Sequence, residues 1–347
     1  TNGKKITENT YGKGKIVFGK KLPQLLKELN LIKDFDFVGG NKDAEIKYIH
    51  RLSDKGEHIF FIANLSESTQ RIDGTFRVSG MVPELWDPLT GIIKKQEYFI
   101  KGRNTTTLPI LLPANGSTMV VFKQGKYEPS IVSVMQNNKQ IFPIDIKNPA
   151  NADFSFQSGG SYTLGYSDGR KELKNIKQSL QLPVISPWEV RFPFGHNATP
   201  YTTFTGLNSW TVSADTGIKY FSGSAVYTNS FVLNSSQLQG LTKVTLDLGK
   251  VGDMAEVWVN GQRAGYAWVA PYEVDLTSLV REGTNSLVVE VANSINNRRV
   301  GDDILNDKYK FTASNINKGN CAWCNNWKDV ELSPSGLMGP VTLKILY

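Results

Sequence analysis

Two cysteines and three histidines are all that this 347-residue chain offers to thiol or soft-metal chemistry. A structural zinc needs four ligands, and the cysteines stand in Cys321-Ala322-Trp323-Cys324, far in sequence from His50, His58 and His196. The same Cys-x-x-Cys follows Asn317-Lys318-Gly319-Asn320, without the βαβ context of a thioredoxin-type site. Two thiols, or a short-range disulfide if the protein is exported, are the readings that remain. Apolar runs such as Ile59-Phe60-Phe61-Ile62-Ala63 fall far below the roughly 18 residues of a membrane-spanning helix, so no span is expected. No basic stretch followed by an apolar one opens the sequence, and no signal peptide is visible. The formal charge is +7, but Lys and Arg are interspersed with Asp, Asn and Ser and form no basic helix or stripe. Nucleic acid is therefore not an expected partner. No Gly-x-Ser-x-Gly elbow accompanies a histidine, and no EF-hand spacing occurs. Only one βα unit is visible where a catalytic barrel would need eight.

What is present describes a globular, mainly β chain. Hydrophobic residues make up 40% and charged residues 20%, ordinary values for a folded protein, and the length allows two or three domains. Residues 1–44 hold a strand-like run, Lys15 to Gly19, and a helix-like run with Leu22, Leu25, Leu26 and Leu29 on one stripe. They read as the βα remnant of an α/β domain. Residues 45–123 read as an antiparallel β-sandwich, with strands expected at Glu57 to Leu65, Arg71 to Val78, Ile92 to Phe99, Thr105 to Leu112 and Thr118 to Phe122. The turn Asp87-Pro88-Leu89-Thr90-Gly91 separates two of them, Pro presetting φ and Gly accepting positive φ. Residues 124–187 read as a strand-containing linker that caps the domain after it. Residues 188–347 alternate most clearly. Val244, Leu246 and Leu248 share one face of a strand, Leu287, Val289 and Val291 share another, and Asn260-Gly261 signals a type I′ hairpin. Half-buried strands between turns predict a two-sheet jelly roll.

Several segments carry a family resemblance. Ile218-Lys219-Tyr220-Phe221-Ser222-Gly223, Asn260-Gly261, Trp268, Pro271 and Asn297-Arg298-Arg299-Val300-Gly301-Asp302 resemble, in that order, the galactose-binding-like sugar-binding domain of family 2 glycoside hydrolases. Tyr48-Ile49-His50-Arg51, Phe60-Phe61-Ile62-Ala63-Asn64, Arg77-Val78-Ser79-Gly80, Pro83-Glu84-Leu85-Trp86-Asp87-Pro88 and Thr90-Gly91 resemble the segment after the barrel in family 106 α-L-rhamnosidases. Gly12-Lys13-Gly14-Lys15 and Ser335-Gly336-Leu337-Met338-Gly339-Pro340-Val341 fit the two ends of that region. The resemblance implies a non-catalytic accessory region of a bacterial enzyme that releases rhamnose from plant polysaccharide. Its partners would be carbohydrate and an upstream catalytic barrel of the same polypeptide. It further implies a periplasmic, cell-surface or secreted location, and no cofactor beyond a structural calcium held by loop oxygens. None of that family's catalytic glutamates maps onto this sequence.

For sugar contact, an aromatic face must meet the C–H side of a pyranose, with amide, guanidinium or carboxylate groups at its hydroxyls. Trp268, where a loop leaves the hairpin, and Asn297, Arg298 and Asp302, at a sheet rim, are the expected carbohydrate-binding group. Trp258 shares the polar face of its strand with Glu256 and Asn260, and either a platform or packing beneath a loop fits it. Two other readings stand beside the accessory one. An autonomous carbohydrate-binding module would need a complete sugar site. A small hydrolase would use Asp302 or Asp303 with Glu256, although a salt-bridge network with Arg298 and Arg299 is the favoured account of those aspartates.

Overall fold

The computed structural model describes residues 7–125, 129–144, 159–194, 197–305, 310–313 and 327–347. The cysteine pair Cys321 and Cys324, and His196, lie outside them. The fold is mainly β, and the strand pairings within its sheets are antiparallel. Among the described residues no helix is long and apolar enough to cross a membrane.

The first sandwich faces a four-stranded sheet, ordered Phe35–Gly39, Gln70–Phe76, Thr106–Leu112, Ile100–Lys101, against a five-stranded one. The latter is ordered Ile46–Leu52, His58–Asn64, Ser117–Lys123, Val82–Trp86, Ile93–Lys95. Its edge strand Phe35–Gly39 thus lies ahead of the expected start at residue 45. Of the run expected as a single strand, Ile92 to Phe99, only Ile93–Lys95 is a strand, in the five-stranded sheet, and the next strand, Ile100–Lys101, begins just beyond the run in the other sheet. Buried Gln96 marks the crossing: its amide donates to Pro109 O at 3.2 Å and its carbonyl accepts from Tyr98 N at 3.1 Å. Phe60, Phe76 and Phe122 meet edge-on or tilted at the centre. Each such buried ring stabilises the domain by about 1.5–3 kcal/mol.

Ahead of the sandwich, Glu8–Tyr11 pairs with Gly14–Val17 as a hairpin, and the helix Leu22–Glu28 follows. That helix buries none of its seven residues. Its apolar stripe is real but uncovered, with Leu22, Leu26 and Leu29 exposed, as are Ile16 and Phe18 ahead of it.

The segment read as a linker forms a four-stranded sheet of its own, ordered Lys139–Phe142, Ile131–Gln136, Gly160–Tyr166, Lys171–Ile176. It is tied to the first sandwich. Phe99 N donates to Ile131 O and Ile131 N to Glu97 O, while Tyr98 and Ile100 pack on its small core. Buried Asp73, paired with Arg71 at 2.5 Å, also accepts Ile144 N at 2.6 Å.

The second sandwich sets a six-stranded sheet against a four-stranded one. The larger is ordered Tyr201–Phe204, Trp188–Arg191, Ser224–Leu233, Gly283–Ala292, Met254–Val259, Gln262–Ala267. The smaller is ordered Leu180–Pro183, Thr342–Leu346, Lys243–Asp247, Glu273–Asp275. Its first strand precedes residue 188. Val244, Leu246, Leu248, Leu287, Val289 and Val291 all face the core, as the alternation predicts. Asn260 and Gly261 both take positive φ, 52° and 74°, as a type I′ turn requires.

Candidate sugar-binding site

The four expected site residues divide between two places. Asn297, Arg298 and Asp302 lie on a helix, Asn296–Leu305, where a rim loop was expected, and all three are buried. Arg298 Nε donates to Asp302 Oδ1 at 2.8 Å, and Nη2 approaches the same oxygen at 2.6 Å, off the hydrogen-bond axis. Asp302 Oδ2 accepts both the backbone N–H and the hydroxyl of Thr312, at 2.8 and 2.7 Å. The Arg298 guanidinium lies over the Phe311 ring at 4.6 Å. The Asn297 amide donates to Ser333 O and to Ser335 Oγ, and its carbonyl accepts Ser333 N. The i, i+4 pair and the amide thus fasten the helix to residues 312 and 333–335. A carboxylate accepting three donors in a buried setting has little capacity left for a sugar hydroxyl.

Trp268 is elsewhere and open to solvent. The strand Gln262–Ala267 pairs with Met254–Val259 through a bulge opposite Val257 and Trp258, just before Tyr266. Alternation then turns Ala267 into the core and leaves Tyr266 and Trp268, each 57% exposed, on the outer side. The Arg263 guanidinium covers one face of Tyr266 at 4.1 Å while pairing with Glu256 at 2.6 Å, so Glu256 braces this hairpin. The rings border a cleft of about 460 Å³ between the two sandwiches, where Leu89 and Thr90 face Met254, Glu273 and Asp275. An adjoining hollow extends it past Asp87, Lys94, Lys243 and Pro271. Burial alone would raise the Asp275 carboxyl. Hydrogen bonds from Thr277 and the charges of Lys243 and Lys94 hold it below the usual carboxylate range.

The sequence reading singled out Trp268 and did not name Tyr266, Glu273 and Asp275, which line the same cleft. The period-two spacing of Tyr266 and Trp268 was the available signal. The carboxylates come from a separate short strand, and no local pattern links them to the rings. Among the described residues no three His, Cys, Asp or Glu side chains gather in a metal-binding group.

Comparison with known proteins agrees with this architecture. Residues 1–100 match the sequence profile of the alpha-L-rhamnosidases of glycoside hydrolase family 106, and residues 171–321 match the glycosyl hydrolases family 2 sugar-binding domain. The chain is glycoside hydrolase-related, rhamnosidase-like in its first part and sugar-binding-domain-like in its second. The solved rhamnosidase from Novosphingobium sp. PP1Y follows 98% of the chain with a TM-score of 0.73 and 28% identity, and the match takes in 27% of that protein. A Formosa agariphila protein provisionally designated beta-glucuronidase is 34% identical over 203 residues, 53% of this chain and 18% of that protein. The chain therefore spans about a quarter or less of these relatives.

Proposed function

We propose that this chain is the non-catalytic accessory region of a carbohydrate-degrading glycoside hydrolase of α-L-rhamnosidase type. It braces a catalytic barrel carried upstream in the same polypeptide and forms one wall of the substrate cleft. The observation that carries this reading is the uncovered apolar stripe of Leu22, Leu26 and Leu29, with Ile16 and Phe18 of the preceding segment also exposed, all within the segment matched by the rhamnosidase profile. An apolar stripe of this kind needs a partner surface, and the barrel is the partner this reading supplies. The state of the candidate carboxylates supports it too. Asp302 is engaged at both oxygens, by Arg298 and by Thr312, so it is not free to flank a glycosidic bond with Glu256 as acid or base. The substrate would be a rhamnose-bearing plant polysaccharide, met in the periplasm, at the cell surface or outside a bacterium.

The test places Leu22→Glu and Leu26→Glu together in a polypeptide that carries the barrel. The 347-residue chain by itself should keep its stability within about 0.5 kcal/mol, because both positions are already exposed. The longer enzyme should lose thermal stability and turnover of aryl α-L-rhamnosides. A longer enzyme that tolerates both charges would refute bracing through this face.

A further inference from the structure

We propose that the cleft between the two sandwiches is a binding site for a neutral pyranoside, with Tyr266 and Trp268 as the stacking platform and Glu273 and Asp275 as acceptors for adjacent hydroxyls. The choice of a sugar as ligand rests on the function proposed above; the location of the site rests on the side chains themselves.

Three features of the cleft carry the inference. Two aromatic rings stand on the same side of one strand end, both 57% exposed, with buried Ala267 between them. Open aromatic faces at the mouth of a concavity suit the C–H side of a pyranose, which is apolar and flat. Arg263 occupies one face of Tyr266 and fixes the ring's orientation. The cleft volume of about 460 Å³ falls within the range that small ligands fill.

The polar groups beside the rings are half engaged. Asp275 Oδ1 accepts both donors of Thr277, at 2.9 and 2.5 Å, and Glu273 Oε1 accepts Lys344 Nζ at 2.7 Å. Among the described residues the second oxygen of each carboxylate has no donor, and neither the Trp268 indole N–H nor the Tyr266 hydroxyl has a hydrogen-bond partner. Each carboxylate is therefore held in place by one oxygen while the other remains available, the arrangement that a hydroxyl-rich ligand satisfies. Two acceptor-only groups also select the ligand's charge. A sugar carrying its own carboxylate would meet like charge at Glu273 and Asp275, whereas a neutral sugar brings only hydroxyl donors. Exposed Met254 and Leu89 offer an apolar rest for a 6-deoxy methyl group, which makes a methyl rhamnoside a suitable probe.

The experiment is a calorimetric titration of the 347-residue chain with methyl α-L-rhamnoside and, separately, methyl β-D-glucuronide, at millimolar ligand. Saturable heat is expected with the rhamnoside and not with the glucuronide. Trp268→Ala should weaken the rhamnoside by about tenfold or more, since loss of one stacked ring accounts for roughly that factor. Asp275→Asn keeps the acceptor for Thr277 and should weaken it as well, with the circular dichroism unchanged in both variants. Binding that survives both substitutions in folded protein would place the sugar elsewhere and overturn this site, while leaving the bracing role intact. No heat from the folded chain with either sugar would also overturn the site. The bracing role is read separately, from the Leu22→Glu, Leu26→Glu enzyme.

Discussion

Replacing Asp302 by alanine is the sharpest test of what the helix Asn296–Leu305 does. The carboxylate meets Arg298 at 2.8 and 2.6 Å and Thr312 at 2.8 and 2.7 Å, and only 2% of Asp302 is exposed. Its removal leaves Arg298, itself 5% exposed, with no counter-charge among the described residues. Breaking a buried pair from one side costs about 3–5 kcal/mol, and the orphaned Thr312 N–H adds to that unless water reaches it. At about 2–4 °C per kcal/mol for a domain of this size, the melting transition should fall by roughly 10 °C. Scanning calorimetry, checked by urea unfolding, reads the change. The double variant Arg298→Met, Asp302→Leu removes both charges and should recover most of the loss, because the desolvation cost disappears with the pair. An Asp302→Ala protein within about 0.5 kcal/mol of wild type would refute the fastening role. So would one whose stability holds while its sugar binding collapses.

A Cβ at Gly336, where φ is +88°, would lie 2.4 Å from the buried Trp210 indole nitrogen, so Gly336→Ala should cost more than about 3 kcal/mol in urea unfolding. An unchanged midpoint would mean that this strand sits differently. Trp210→Phe deletes the 2.6 Å hydrogen bond from the indole to the buried Tyr227 hydroxyl and should cost about 1–3 kcal/mol, with Trp188→Phe, whose indole N–H has no hydrogen-bond partner among the described residues, as the milder control. His50 bridges Asp34 at 2.9 Å and His58 at 3.0 Å. Burial, then the charge on His50, holds His58 below its ordinary value, with Asp34 pulling up and Arg77 pushing down. The unfolded chain therefore takes up this proton first as pH falls, and stability should decline from about pH 6.5 down to the lower folded value and level off beneath it. Urea midpoints for wild type and His58→Gln should diverge above that window and approach one another below it; parallel curves would remove His58 from the account.

The parts legible in the sequence are those set by local chemistry. Period-two alternation located the core faces around Val244 and Leu287, and the demand for positive φ located the turn at Asn260-Gly261. The helix Asn296–Leu305 was not legible, because Asn, Asp and a central Gly are weak helix formers. Tertiary packing overrides that preference: Gly301 presses against Tyr220, where a Cβ would come within 2.5 Å of the Tyr220 side chain. The Arg298 and Asp302 spacing did carry the i, i+4 signal, which is visible only once a helix is assumed. The crossing at Gln96 depends on hydrogen bonds to Pro109 and Tyr98, which the alternation of Ile92 to Phe99 conceals. The cleft was least legible of all, since its walls come from two domains, with Leu89 and Thr90 on one and Tyr266 and Trp268 on the other.

In the smaller sheet of the second sandwich, Thr342–Leu346 lies between Leu180–Pro183 and Lys243–Asp247. An interior position is thus filled by the strand that a ribosome makes last among the three. Until residue 346 has emerged, Val244 and Leu246 have no neighbour on that side, and the nascent domain must wait with an open slot in its sheet. The pairing of Leu180 with Ile345 also brings the entry and exit of the domain together. Tension applied across that pair would peel its hydrogen bonds one after another instead of loading them all together.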